Sequence, residues 1–408
     1  MKTIGIIAEF NPFHNGHKYL INRAKKITGA DNVVVVCSGN YVQRGMPSIW
    51  DKQIRTKMAL LNGADAVFEL PFFYSTASAE LFARAAIRFL TDLNCVDYLC
   101  FGCESDNLKA LPVISTILAE EPGEYKEYLS EALKTGVSFP KARICALRKY
   151  CSLNNIFHEE DLEQLLVMPN NILAIEYLKA IKLFHSPIKP VAIKRVGAGY
   201  HSVNTEFEFA SATGIRKYLH NNDFEKISGY IPENCIDLAS SAKNIALNDF
   251  DTVLGSMLIA KDDFSDIYGI NTELSNRINH QKPKFVDTES FIAKLQSKNY
   301  TYSAVSRALL HISLDLKVEN VEEFINNGYF TFARLLGFRK KSNILSSIKE
   351  NSDLDIISKL SGHYKEAQGI SKKMMDLSLK ADHLYRMIYM NKYDEYIPTE
   401  FERQIIVL

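Results

Sequence analysis

No apolar run in the 408-residue chain approaches the ~20 residues a membrane-spanning helix needs, so no transmembrane segment is expected. The apolar opening, Met1 to Ala8, is too brief for a signal peptide, and Glu9 and Asn11 break any apolar continuation. Neither sign of charge is in excess: 48 Lys and Arg stand against 48 Asp and Glu. Bulk charge therefore argues neither for nor against nucleic acid, and an RNA-binding face would have to come from local clustering. The seven cysteines are few for this length and odd in number, which argues against a disulfide framework and fits reduced thiols in a cytoplasmic protein. Cys100-Phe-Gly-Cys103 has no second pair, and residues three apart on a strand point to opposite faces, so no metal site is expected there. Internal repeats and low-complexity tracts are absent. What is present, 47% apolar and 24% charged residues, is ordinary for a globular protein of two or three domains.

The most informative stretch runs from Ile4 to Leu20. Ile4 to Ala8 has strand composition, Asn11-Pro12 and Asn15-Gly16 form a turn, and an amphipathic helix is expected to begin near His17. A helix start offers free backbone N–H groups and a positive dipole end, which suits an anion, and Gly16 removes a Cβ that would hold a phosphate off. His14 and His17, on either side of that glycine, can both point at one phosphate and donate to its oxygens as charge develops. Two surface histidines in a loop are the bland alternative. The pattern His-x-Gly-His after a first strand resembles the signature of the nucleotidyltransferase and class I aminoacyl-tRNA synthetase superfamily.

Further units lie beyond it. Asn32 to Cys37 is a continuous β-branched run, as in a strand buried on both faces of a parallel sheet. It leads into a Gly-bounded loop, Ser38 to Gly45, whose Arg44 is well placed to line a ligand site. Ser48-Ile-Trp-Asp51 has capping-box spacing, and Arg55 and Lys57 on the helix beyond it read as a solvated face. Strands are expected at Ala64 to Pro71 and Val96 to Phe101, with a helix from Ser75 between them. The β-α-β-α-β-α-β order predicts a Rossmann-like, doubly wound parallel sheet. Gly102 would let a planar base lie on the backbone, or is a plain turn glycine. Residues 105–164 read as a helical insertion. Asn170 and Asn171 open a helix, and a fifth strand, Ile188 to Val196, ends in Arg195 and a Gly197-Ala-Gly199-Tyr-His201 run at the ligand edge. Ser211 and Thr213, with Arg216 one turn later, make either an ordinary helix cap or a second anion-binding helix start.

Beyond Pro232 the chain is expected to be helical to its end, with a hinge at His280 to Pro283. Residues 1–232 form the expected catalytic domain, 233–284 a helical connection and 285–408 a helical domain. Basic residues interleave with aromatics in that last part, among them Arg307, Arg334, Arg339, Lys340 and Lys341. This suits RNA, and equally suits a helical bundle with aromatic core and charged face.

Taken together, Gly5 to His17, Ser38 to Gly45, Arg55-Thr-Lys-Met-Ala59, Phe68-Glu-Leu-Pro71, Pro169 to Leu173, Gly197 to His201 and Ala304 to His311 resemble the bacterial tRNA(Met) cytidine acetate ligase family. The resemblance implies activation of acetate with ATP to acetyl-adenylate and pyrophosphate, then acetyl transfer to N4 of the wobble cytidine of elongator tRNA(Met). It implies ATP contacts along Ile7, Ala8, Glu9, Phe10, Asn11, Pro12, Phe13, His14, Asn15, Gly16, His17, Lys18, Tyr19 and Leu20, and at Gly102, Asn170 and Arg195, with Asn171 a neighbour. Mg²⁺ is the expected companion of the triphosphate. His201 is a candidate proton acceptor for the weakly nucleophilic cytosine amine. Two other readings stay open: a small-molecule nucleotidyltransferase or adenylate-forming ligase without RNA, and a non-catalytic nucleotide-dependent RNA-binding protein.

Overall fold

A computed structural model describes residues 1–104, 109–157, 162, 165–166, 168–195, 211–221 and 223–408. At its centre β2 (Asn32–Ser38) is buried throughout. Val34 and Val36 enter one apolar cluster, while Val33, Val35 and Cys37 enter another on the opposite face. Branched side chains on both faces suit a central strand that helices cover from each side. β1 (Thr3–Ala8) and β5 (Ala66–Leu70) flank β2 in parallel, and β6 (Tyr98–Cys103) and β7 (Lys189–Lys194) continue beyond β1.

The order β5-β2-β1-β6-β7 winds outward in one direction and then in the other, so the switch point lies between β1 and β6. There the register covers only Ile4↔Tyr98 and Gly5↔Leu99. Toward their carboxyl ends the two strands share no further register, and in a doubly wound sheet this is where a ligand crevice is expected, in front of the signature turn. The expected doubly wound, largely parallel sheet is borne out. Cys100 and Cys103 fall into different apolar clusters, as their spacing required.

The carboxyl-terminal part corrects the expectation of helix to the end. β8 (Phe332–Phe338) joins the sheet antiparallel to β5, with β9 (Asp355–Ile357) and β10 (Ile406–Val407) paired to it in parallel. Its glycine is required by close packing: a Cβ on Gly337 would stand 2.8 Å from the Ile406 carbonyl oxygen. Nor does the core divide at 284. Leu254, Ile278, Phe291 and Ile312 share one apolar cluster across that point, while Phe324, Leu335 and Tyr385 belong to the main cluster of the sheet.

Within 105–164 the described helices are Ala110–Glu120, Gly123–Lys134 and Phe139–Leu153. The buried Glu176 of the Pro169–Leu183 helix holds Arg143 at 2.6 Å and ties this segment to the sheet's helical layer. Among the described residues no helix is long and apolar enough to cross a membrane.

Candidate active site

The signature turn is shaped by residues that do not face the crevice. Phe10 takes a left-handed backbone conformation (φ 49°), a strain that persists where packing over-determines it. Its ring is clamped edge-on between Phe13 at 4.8 Å and His17 at 4.9 Å, and all but 1% of the residue is buried. Asn11 is buried too, and its Oδ1 accepts from Ile49 N–H at 2.8 Å.

The helix begins at Asn15, two residues earlier than expected, because His14 is its cap. Gly16 N–H donates to His14 Nδ1 at 3.0 Å, and His14 N–H donates to His17 Nδ1 at 3.2 Å. This reciprocal pair is a capping box built from imidazoles. It alters the anion reading. The N–H of Gly16 is already committed, and those of His17 and Lys18 bond to the His14 carbonyl. What these residues can still offer an anion is therefore side-chain donors. Since both Nδ1 atoms accept, the neutral rings carry their proton on Nε2 and present it as a donor. Neutrality follows from the surroundings. Burial, reinforced by Arg195 and Arg216, lowers His14 to about 3, and burial with its stacked neighbour His14 holds His17 well below its ordinary value.

Arg216 approaches from the helix Ala212–His220, capped by Ser211, whose Oγ accepts from Gly214 N–H. The guanidinium donates to the Asn11 carbonyl at 2.6 Å and to Thr213 Oγ1 at 3.1 Å. Ser211 and Thr213 are themselves exposed, so the second helix start serves mainly to aim Arg216 at the turn. Arg195 N–H donates to the Cys103 carbonyl, and the aliphatic stem of Arg195 covers the open face of Gly102, where a Cβ would lie 3.2 Å from Cγ. The space given to a planar base is thus held by Arg195 here.

Across the crevice Glu104, a residue not expected at the site from its sequence context, caps the Pro169–Leu183 helix. It accepts from the N–H groups of Asn170 and Asn171 at 3.1 and 3.2 Å and from the Asn170 side-chain amide. Asn171 turns inward and accepts from Glu104 N–H, leaving Asn170 as the amide nearer the opening. A carboxylate directly after a strand end was the available signal. Gly197, Gly199 and His201 lie outside the described residues.

The loop after β2 folds into a ribbon of β3 (Tyr41–Val42) and β4 (Met46–Pro47) and is held from beneath. Arg55 and Lys52, on the helix Lys52–Leu61, are both fully buried, which corrects the solvated reading of Arg55. Arg55 donates to the carbonyls of Glu9, Ser38, Gly39 and Trp50. Lys52 Nζ meets Asp382 at 2.6 Å, Glu69 at 2.8 Å and Glu400 at 3.2 Å. Asp382, on the helix Gly369–Tyr393, also accepts from Asn40 Nδ2 at 3.0 Å, so the carboxyl-terminal helix supports the loop directly. Asp51, not Ser48, caps the Lys52–Leu61 helix; Ser48 Oγ donates to backbone carbonyls instead.

Of the five basic residues expected at an RNA surface, only Arg307 stands at this site. It lies on the helix Tyr302–Leu314 and donates to the Gln43 carbonyl at 3.4 Å. Arg334 is enclosed with Glu69, Asp382 and Glu400. Phe338 pairs with Ala66 at the start of β5, so Arg339, Lys340 and Lys341 emerge at the opposite, amino-terminal edge of the sheet. Arg339 there faces Asp65 at 3.7 Å.

The family model of the HIGH nucleotidyl transferases matches residues 1–398. The tRNA(Met) cytidine acetate ligase of Acetivibrio thermocellus is 37% identical over 420 residues, covering 100% of both chains. That of Thermoanaerobacter sp. strain X514 is 39% identical over 397 residues, covering 96% of each. The crystal structure of Thermotoga maritima TmcAL bound with alpha-thio ATP superposes with a TM-score of 0.92 at 31% identity over the whole of both chains.

Proposed function

Because the chain belongs to the HIGH nucleotidyl transferases and, within them, to the tRNA(Met) cytidine acetate ligase family, we propose that it is a cytoplasmic enzyme that activates acetate with ATP and acetylates N4 of the wobble cytidine of elongator tRNA(Met). The observation that carries the reading is the imidazole capping box of His14 and His17, with Arg216 bonded to the same turn and Arg195 close enough to act on both rings.

In the first half-reaction an acetate oxygen attacks the α-phosphorus and pyrophosphate departs. Charge accumulates on the phosphate oxygens, where two preorganised neutral imidazole donors and the guanidinium groups of Arg195 and Arg216 meet it. Asn170, beside the Glu104-capped helix start, is assigned to the nucleotide from across the opening. In the second half-reaction the cytosine amine attacks the acetyl carbon and AMP leaves. Arg307 has no acidic partner among the described residues and is assigned to a backbone phosphate of the incoming RNA. His201 remains a candidate for the amine proton.

The residues do not form a Mg²⁺ cage. Among the described residues no group of three or more His, Cys, Asp or Glu side chains is arranged to hold an ion. Mg²⁺ would enter with the triphosphate and would supply positive charge to its oxygens.

The test is acetate-dependent pyrophosphate release from ATP, with and without elongator tRNA(Met), and then mass analysis of the tRNA nucleosides. Release together with a cytidine heavier by one acetyl group is the expected result. Release with unmodified tRNA would favour a small-molecule ligase, and ATP binding without release a non-catalytic RNA-binding protein.

A further inference from the structure

Glu9 is the wrong charge for its position. It comes directly after β1, at the head of a turn whose other polar groups are donors and cations suited to phosphate. Its carboxylate is nonetheless held in place: Oε1 accepts from Gln43 N–H at 2.8 Å. Its backbone is fixed as well, because the Glu9 carbonyl accepts from Arg55 Nη1 at 2.6 Å and from the Cys37 thiol. Among the described residues no hydrogen bond reaches Oε2, and the side chain is only half-buried. A carboxylate oriented this firmly beside phosphate-binding groups must serve something other than phosphate, because it repels phosphate at close range. A metal role fits poorly, since the cationic Arg216 is near enough for Glu9 to act on its protonation. A neutral N–H donor fits well, and cytosine presents one: carboxylates pair with its exocyclic N4 amine.

We propose that Glu9 is the catalytic acceptor for the N4 amine of the target cytidine. Its Oε2 orients the amine toward the acetyl-adenylate and takes its proton during transfer. This rests on the ligase reading above. As the N4–C bond forms, the acetyl C–O bond to phosphate breaks, AMP leaves with that electron pair, and one N4 proton passes to Glu9. The carboxylic acid then returns the proton to water, and no further reactant is consumed. The 38–47 loop contributes by holding Oε1, so that only Oε2 is available to the base.

The experiment compares Glu9→Gln, which preserves shape and an acceptor for Gln43, with Glu9→Asp and His201→Ala. Two readouts are needed: acetate-dependent exchange of pyrophosphate into ATP, and single-turnover acetylation of tRNA(Met). For Glu9→Gln we expect transfer reduced about 100-fold, within the range for a lost general base, and reduced at least about tenfold more than exchange, whose ATP site includes the same turn. Glu9→Asp, with the base withdrawn by one methylene, should fall between, which keeps the test valid if the Gln variant folds poorly. Equal loss of exchange and transfer would overturn the proposal, as would unchanged transfer, or a selective transfer defect found only in His201→Ala. Failure of the ligase reading is distinct: wild type would then not acetylate tRNA(Met) at all.

Discussion

His14 and His17 stack with ring centroids 3.8 Å apart and 29° between their planes, and each Nδ1 accepts a backbone N–H. Two cationic rings could not be held so closely in a buried site. The pair therefore presents neutral Nε2–H donors, and the cap and the proposed phosphate donor are different atoms of the same ring. His14→Asn separates them. Its Oδ1 can replace Nδ1 as the cap for Gly16, but nothing replaces Nε2. The melting temperature should change little, while the rate of acetate-dependent pyrophosphate exchange falls about 100-fold or more.

Acid stability should report these rings. Burial lowers His14 to about 3 and His311 to about 4, and holds His17 well below its usual value. The unfolded chain takes up these protons near pH 6.5 and the folded chain does not. The stabilisation is therefore complete above about 6.5 and is lost as pH falls toward 4 and then 3. His311 lies away from the phosphate site, with Nδ1 2.8 Å from the Tyr268 carbonyl and Nε2 2.9 Å from Thr76 Oγ1. A melting-temperature series against pH should fall less steeply below pH 6.5 for His311→Asn than for wild type, from a lower plateau.

The buried cluster around Lys52 leaves little room for single substitutions. Four carboxylates (Asp51, Glu69, Asp382 and Glu400) adjoin three cations (Lys52, Arg334 and Arg403). Burial and the neighbouring Glu400 push the Asp382 carboxyl up. Lys52→Met would leave further negative charge uncompensated, and a loss of about 3–5 kcal/mol is expected in denaturant unfolding. The double variant Lys52→Met with Asp382→Leu should lose less than the sum of the two singles.

Gly45 adopts φ 77°, and a Cβ there would overlap the backbone of Arg307, 2.6 Å from its Cα. Ser306 Oγ donates to the Gly45 carbonyl at 2.8 Å, locking the loop to the Tyr302–Leu314 helix. Gly45→Ala should cost at least about 2 kcal/mol by thermal unfolding and displace Arg307.

Placement on the sheet separates Arg307 from Lys340 and Lys341. Arg307→Ala should weaken tRNA binding and reduce the slope of log affinity against log salt by about one. Lys340→Ala with Lys341→Ala, at the other edge, should leave the single-turnover transfer rate unchanged. Filter binding across a salt series, with single-turnover acetylation, checks both.

The strand-turn-helix units were legible because their signals are local. The Val33 to Val36 run announces a doubly covered strand, and His14-Asn-Gly-His17 announces its turn within four residues. Arg55 and Lys52 were not, because their burial depends on carbonyls and carboxylates brought from distant parts of the chain. β8 was missed for a related reason. In Phe332-Ala-Arg-Leu-Leu-Gly-Phe338, Arg334 reads as a surface cation until Glu69, Asp382 and Glu400 surround it. The same side chain explains why basic and aromatic interleaving suited RNA and a packed core equally. At the site, spacing identified the imidazoles but could not say which nitrogen each ring would spend on its own backbone.

The pairing of β5 with β8 also bears on synthesis. β5 is buried from end to end, yet its outer edge finds its partner only after the ribosome has passed Phe338. At typical elongation rates that strand edge waits roughly ten to fifty seconds with its hydrogen-bonding groups open. Nascent chains should therefore engage holdase chaperones through this interval, and slow translation downstream of Leu70 should raise the aggregated fraction rather than improve folding.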